Sequence, residues 1–290
     1  VPRLGLLLLA LAFGGCACSK RARPVVVSIE VDAFEGNDVV SMTAEQLRAS
    51  LVSRLAAARF APLEAGQELP EGATPWAVLL AAGLTEPDLE GPAASKVQVI
   101  LQLREKGGDE TWEVKAVRTS AQAGNELEAI QAAARDALEA ALAQAVREAR
   151  ALGDLSRASN DAVAARLSDE DEAVRSAAVR LLARRHDARA RPALEQRLEA
   201  DELTQLRETM GLLVELGDPA AVPALISASR ARGVVFQREV AFALGAIGGD
   251  EAEAYLDAVA TGHDDPLVRA SAEQALKELR DRRSRKGAGR

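Results

Sequence analysis

The chain has 290 residues, of which 48% are hydrophobic, 28% charged and only 3% aromatic. That content supports one large or two ordinary packed domains and excludes a disordered chain. A formal net charge of −8 argues against a general nucleic-acid binder, which needs a basic surface to neutralise phosphates.

The first stretch, VPRLGLLLLALAFGGCACSK, has one early charge (Arg3), an apolar run from Leu4 to Phe13, and then Gly14-Gly15-Cys16. The run has the size of a signal-peptide core and falls short of the about 20 residues that a bilayer helix needs. Cys16 and Cys18 are one residue apart, so they are poor disulfide partners and cannot staple the body that follows. Small residues before a cysteine resemble the bacterial lipobox, with Phe13 where that family usually has Leu. The resemblance implies a signal peptide over 1–15, lipidation of Cys16 and a linker over 16–24. Each buried CH₂ of the lipid would contribute about 0.8 kcal/mol of membrane affinity. Ala17, rather than Asp, after the cysteine implies an outer-membrane lipoprotein facing the periplasm by the enterobacterial sorting rule. The alternatives are an ordinary cleaved signal on a soluble secreted protein, or a metal-binding Cys-x-Cys.

Residues 25–153 read as a small α/β domain of order β-α-β-β-β-α. In PVVVSIEVDAF, Val27, Ile29, Val31 and Ala33 alternate onto one face. A helix follows, capped by Thr43 with Gln46 as its reciprocal partner and striped by Leu47, Leu51 and Leu55. WAVLLAAGL (Trp76 to Leu84) reads as a buried strand. A hairpin comes next, with Val97, Val99, Leu101 and Leu103 on one arm and Trp112 and Val114 on the other. Val117 breaks the alternation, which predicts a bulge or strand end there. The last helix is expected over 126–152, capped by Asn125, with Leu127, Ile130, Ala134, Leu138, Leu142 and Val146 along one side and Gly153 as its end. This order resembles the domain of penicillin-binding-protein activator lipoproteins and the amino-terminal domain of the TolB translocation protein. The resemblance is one of element order and brings no motif residue.

Residues 154–281 repeat. Arg175, Arg207, Arg238 and Arg269 recur at intervals of 32, 31 and 31, and Val163, Leu194, Leu225 and Leu256 at 31 throughout. Turn signals separate the two series at Arg185-His186-Asp187, Gly217-Asp218-Pro219 and Gly248-Gly249-Asp250. Each unit is therefore two helices that bury their faces by stacking on neighbours, about four pairs in an all-α solenoid. The period and the VR..A..L pattern resemble HEAT repeats of the short bacterial type called PBS-lyase-like. In that family an Asp commonly precedes the Arg by about six residues and bridges units; Asp169 and Asp201 match, while Arg232 and His263 depart. The four arginines are expected to form a structural ladder with carboxylates or loop carbonyls, weakest at Arg238. Residues 282–290, within KELRDRRSRKGAGR, read as a basic, solvated tail.

Catalytic patterns are sparse. The two histidines, His186 and His263, lie in separate turns, and no Walker loop, G-x-S-x-G or metal-ligand spacing occurs. No enzyme activity, cofactor or metal is expected. The candidate binding surface is the face of the Arg-bearing helices: Ser176, Arg180, Glu208, Leu212, Glu215, Glu239, Gln274 and Lys277. Its mixed charge suits a protein or peptide partner in the cell envelope, with the membrane met only through the lipid anchor. The leading expectation is a lipid-anchored scaffold. A regulator of an envelope enzyme, such as a peptidoglycan synthase, acting through the α/β domain is the second. A chromophore- or cofactor-handling lyase is the third, by analogy with some PBS-lyase-like proteins.

Overall fold

The computed structural model describes residues 24–32, 42–62, 67–70, 74–85, 96–107, 111–120, 126–200, 203–230 and 232–288. The lipobox with Cys16, and also Ala33, Asn125 and Asp201, lie outside the described residues.

The amino-terminal part is one five-stranded sheet with two helices packed on one face. Its strands are β1 (Pro24–Val31), β2 (Ala61–Pro62), β3 (Thr74–Thr85), β4 (Lys96–Glu105) and β5 (Thr111–Thr119), in the order β2-β1-β3-β4-β5. β1 runs parallel to β2 and β3, and the pairs β3–β4 and β4–β5 are antiparallel. Helix α1 (Ala44–Ala57) starts at Thr43 with the expected capping box to Gln46, and Leu47, Leu51 and Leu55 are buried beneath it. Helix α2 (Leu127–Leu155) crosses the same face and covers Val99, Leu101, Trp112 and Val114.

Four local expectations change. The β1–β3 register shifts between Val26 and Ser28, so Val26 enters the core in place of Val27, and Ile29 and Val31 pack only at its margin. β5 runs through Val117 without a bulge: Ala116 takes the buried position and Val117 turns to the other face, opposite Gln98. Helix α2 continues past Gly153, which lies beside the Trp112 ring; an added Cβ would stand 3.4 Å from it, in ordinary contact. Trp112 is fixed in turn by Trp76, ring centroids 4.4 Å apart. Leu127, placed on the apolar side by its spacing, sits exposed in the first turn, before the helix reaches the sheet.

The rest of the described chain is helical. The pairs are α3 (Asn160–Ala164) with α4 (Glu172–Arg184), α5 (Arg191–Arg197) with α6 (Leu203–Leu216), α7 (Val222–Arg230) with α8 (Val234–Ile247), and α9 (Asp250–Gly262) with α10 (Pro266–Ala288). Val163, Leu194, Leu225 and Leu256 are all fully buried, one per pair. The turns between pairs repeat as well. His186, Gly217 and Gly248 stand at successive intervals of 31 and all have positive φ (54°, 64° and 80°). The next residue in the first two turns, Asp187 or Asp218, accepts a hydrogen bond from the backbone two residues on. The series buries one apolar side chain per pair and places a residue of positive φ at each of these turns.

The junction is continuous. Helix α2 packs on α4 as extensively as on either β4 or β5, so it serves as the first layer of the stack. The basic tail is a second correction: α10 is helical through Ala288, and its arginines are held rather than free. Arg280 pairs with Glu253 and Asp257, Arg283 with Asp250 and Glu253, and Arg282 donates to Gly245 O. The acidic face of α9 supplies the counter-charge that composition alone does not reveal. Among the described residues, no helix is long and apolar enough to cross a membrane.

Candidate functional site

The four repeated arginines divide into two kinds. Arg175 Nη1 donates to the carbonyls of Asp169 and Glu170 at 2.5 and 2.9 Å, and Arg269 Nη1 does the same to His263 and Asp264 at 2.5 and 2.9 Å. At the two ends, therefore, the arginine ties its own helix to the preceding loop. The Asp169 carboxylate does not take part; it accepts the Asp171 N–H and pairs with Arg166, the first chiefly holding it below its ordinary pKa. The two middle arginines reach forward. Arg207 grips Glu239 through Nε and Nη2, at 2.9 Å for the closest pairs, and Arg238 Nε donates to Ser271 Oγ at 3.1 Å. Arg232, where the pattern has Asp, reaches back to the carbonyls of Leu198 and Ala200 and lies over Phe236.

The expected surface residues do not form one even face. Ser176, Arg180, Glu208, Leu212 and Glu215 gather around a groove between α4, α6 and the edge of the sheet. Glu239 is taken up by Arg207, and Gln274 and Lys277 lie exposed on α10, outside this groove. Two members are not outward-facing. Leu212 is buried, and the Arg180 side chain is only 14% exposed, with Glu148 of α2 against it where a free surface is expected. Arg180 Nε donates to Glu148 Oε1 at 3.1 Å, and its Nη2 donates to Glu208. Burial pushes the Glu148 carboxyl above its ordinary range, against the pull of Arg180. Burial opposes the charge on Arg180 too, but the two glutamates outweigh it and hold the guanidinium more firmly protonated.

Two adjoining hollows, of about 420 and 590 Å³, make up the groove. They share Lys115, Val117, Thr204 and Glu208. Most of the lining lies outside the expected set, including the open-face side chains of β5, with Glu113 bound to Lys115 and Gln102, and Glu148 and Gln144 from α2. The signal at β5 was present but misread. Val117 breaks the apolar alternation because it faces this groove, not because the strand ends.

Among the described residues, no group of three or more His, Cys, Asp or Glu side chains is arranged to hold a metal ion. His186 lies in a turn, its Nδ1 3.3 Å from Leu216 O, and His263 accepts the Asp265 N–H at 3.0 Å. What the groove offers is paired charge, hydroxyls and backbone, which suit recognition.

The fold is a small α/β layer followed by a HEAT-like helical stack. The family described as HEAT repeats matches residues 207–277, which cover α6 to the middle of α10. HEAT repeats commonly mediate protein–protein interaction or scaffolding. No curated protein matches the chain.

Proposed function

We propose that the protein is a binding scaffold of the bacterial cell envelope that grips a protein partner and catalyses no reaction. The observation that carries this reading is the groove, walled on one side by the Arg-bearing helices and on the other by β5. Glu113 with Lys115, and Arg180 with Glu148 and Glu208, are engaged with one another, which favours a preorganised recognition surface. A photo-crosslinking residue in place of Glu215, which is exposed at the groove, should trap a discrete protein partner in cells; one in place of Gly262, at the exposed end of α9, should not. Equal labelling from both positions, or none from either, would end the scaffold reading.

The envelope part of the proposal rests on LGLLLLALAFGGC alone. Cys16 carries the lipid and holds the protein on the periplasmic side of the outer membrane. Cys16→Ala should abolish labelling by a fatty-acid analogue and release the protein from membranes. Unchanged labelling would sink the anchor.

A second reading, a regulator of an envelope enzyme acting through the α/β domain, is favoured by the share of the groove that β5 contributes. Crosslinks from Gln98, on the sheet side, that capture a cell-wall synthase would select it over a general scaffold.

A further inference from the structure

β5 is the outer strand of the sheet, and one hydrogen bond fixes which way its backbone points. Lys106 N donates to Pro75 O at 2.9 Å, the rung next to the Trp76–Glu105 pair of the β3–β4 ladder. Even-numbered residues of β4 therefore turn their backbone groups to β3, and odd-numbered ones turn theirs to β5. The register pairs Val97 with Arg118, Val99 with Ala116, Leu101 with Val114 and Leu103 with Trp112. Even-numbered residues of β5 thus bond inward, and the backbone groups of Glu113 and Lys115 point off the sheet. The neighbours on the same parity agree: Thr111 O accepts from Arg184 Nη1, and Val117 O from Arg118 Nη1, each at 3.2 Å. Glu113 and Lys115, between them, have no backbone partner on that side among the described residues.

An open edge of this kind is a template for an added strand, and proteins normally blunt or cover it. Here the helical stack stands beside the edge without sealing it, and both hollows of the groove follow β5. The strand's nine residues extend about 30 Å at 3.3 Å each. A small molecule would use a fraction of that length; an extended peptide would use all of it.

The opposite wall indicates the charge of the occupant. Arg197, at the end of α5, donates to Ser176 Oγ at 3.1 Å and forms no ion pair among the described residues. A guanidinium offers five N–H donors, so most of its capacity is unused. Gln144 Oε1, in the same hollow, is buried with no hydrogen-bond partner. Arg118 and Arg184 also lack a carboxylate partner and spend donors on the carbonyls of the β5 edge. Three guanidinium groups that touch no carboxylate among the described residues therefore line this groove, with Glu148, Glu172 and Glu208 near Arg197 but not bonded to it.

We propose that the groove takes an extended segment of a partner protein as an added strand on β5, with an acidic side chain of that segment pairing with Arg197. The inference rests on the interaction reading above and specifies how the partner is held. Main-chain hydrogen bonds to Glu113 and Lys115 would supply the grip, and the carboxylate would supply the register.

A phage-displayed library of random peptides of about ten residues, long enough to cover β5, tests this on the full chain. Enriched sequences are remade as free peptides. Lys115→Pro removes the outward N–H at the centre of the edge, where a strand tolerates proline, and Arg197→Gln removes the charge. The expected result is an Asp or Glu at a fixed place in the enriched peptides. Affinity should fall about tenfold or more with each variant, the loss of a main-chain or charge-assisted hydrogen bond. N-methylation of the peptide should abolish binding at alternate residues of one parity only. That series uses the unaltered protein, so it decides the matter even if Lys115→Pro does not fold. No enrichment, equal binding to both variants, or N-methyl effects without parity would each overturn strand addition. Peptides that keep their affinity for both variants but lose it when α8 is altered would also overturn it, while leaving the helical stack as an interaction surface.

Discussion

Arg180 Nε lies 3.1 Å from Glu148 Oε1, an ion pair that joins the last helix of the α/β layer to the first Arg-bearing helix. Because Arg180 also binds Glu208, one guanidinium ties α2, α4 and α6 together. Removing it leaves two buried or half-buried carboxylates facing each other. Arg180→Met should destabilise the protein by about 3–5 kcal/mol at neutral pH, as breaking a buried pair from one side does. The pH dependence has a definite sign. The folded-state pKa of Glu148 is raised by burial, so its contribution is complete below the unfolded value and is lost as pH rises through the folded one. Without Arg180 the folded value rises further, so the deficit of the variant should shrink between about pH 7 and pH 5. Urea melts at the two pH values check this; a deficit unchanged by pH would mean that losing Arg180 leaves the protonation of Glu148 as it was.

Gly245 on α8 meets Ala275 on α10 so closely that an added Cβ would stand 2.9 Å from the Ala275 Cβ and 3.1 Å from its carbonyl oxygen. Backbone on the far side cannot move as a flexible side chain would. Gly245→Ala should therefore cost about 1–3 kcal/mol, the usual range for overpacking, despite the better helix propensity of alanine. Gly211→Ala on α6 is the control: nothing lies within 4 Å of its added Cβ, so the same change there should be neutral or mildly stabilising. Thermal melts of the two variants should separate in opposite directions.

The repeat was legible because it is written in the one property a stack needs. Val163, Leu194, Leu225 and Leu256 mark buried positions at a fixed interval, and burial is what selects them. The capping box at Thr43 was legible for a similar reason, since both partners lie within one turn. The groove was not. Its walls come from β5 and from α4 and α6, far apart in sequence and brought together by packing around α2. Helical spacing places Arg180 on an open surface because it is blind to α2, a neighbour outside the repeat. The tail was read as solvated from its composition, yet the carboxylates of Asp250, Glu253 and Asp257 receive it.

That docking makes α10 worth testing by truncation. A chain ending at Leu279 loses Arg280 and Arg283, whose ion pairs are exposed and individually weak. It also loses the Arg282 bond to Gly245 O, which is partly shielded from solvent. The melting temperature should drop, and the drop should be smaller in high salt because part of it is screened charge. A truncated chain that melts like the full one would restore the frayed tail.

The turns provide the last prediction. Gly217 and His186 occupy equivalent places, 31 residues apart, at φ of 64° and 54°. A side chain is strained there, by about 1–2 kcal/mol for an ordinary L-residue. Gly217→Ala should cost about that much, since its added Cβ meets only carbonyl oxygens at 3.9 and 4.0 Å and the penalty is conformational. His186→Gly should move stability the other way, though by less: it gives up the Nδ1 contact to Leu216 O and adds backbone freedom to the unfolded chain. Opposite shifts in urea midpoint for the two substitutions would establish that the repeat imposes the left-handed turn on whatever residue stands there. Shifts of the same sign would mean that the two turns are not equivalent.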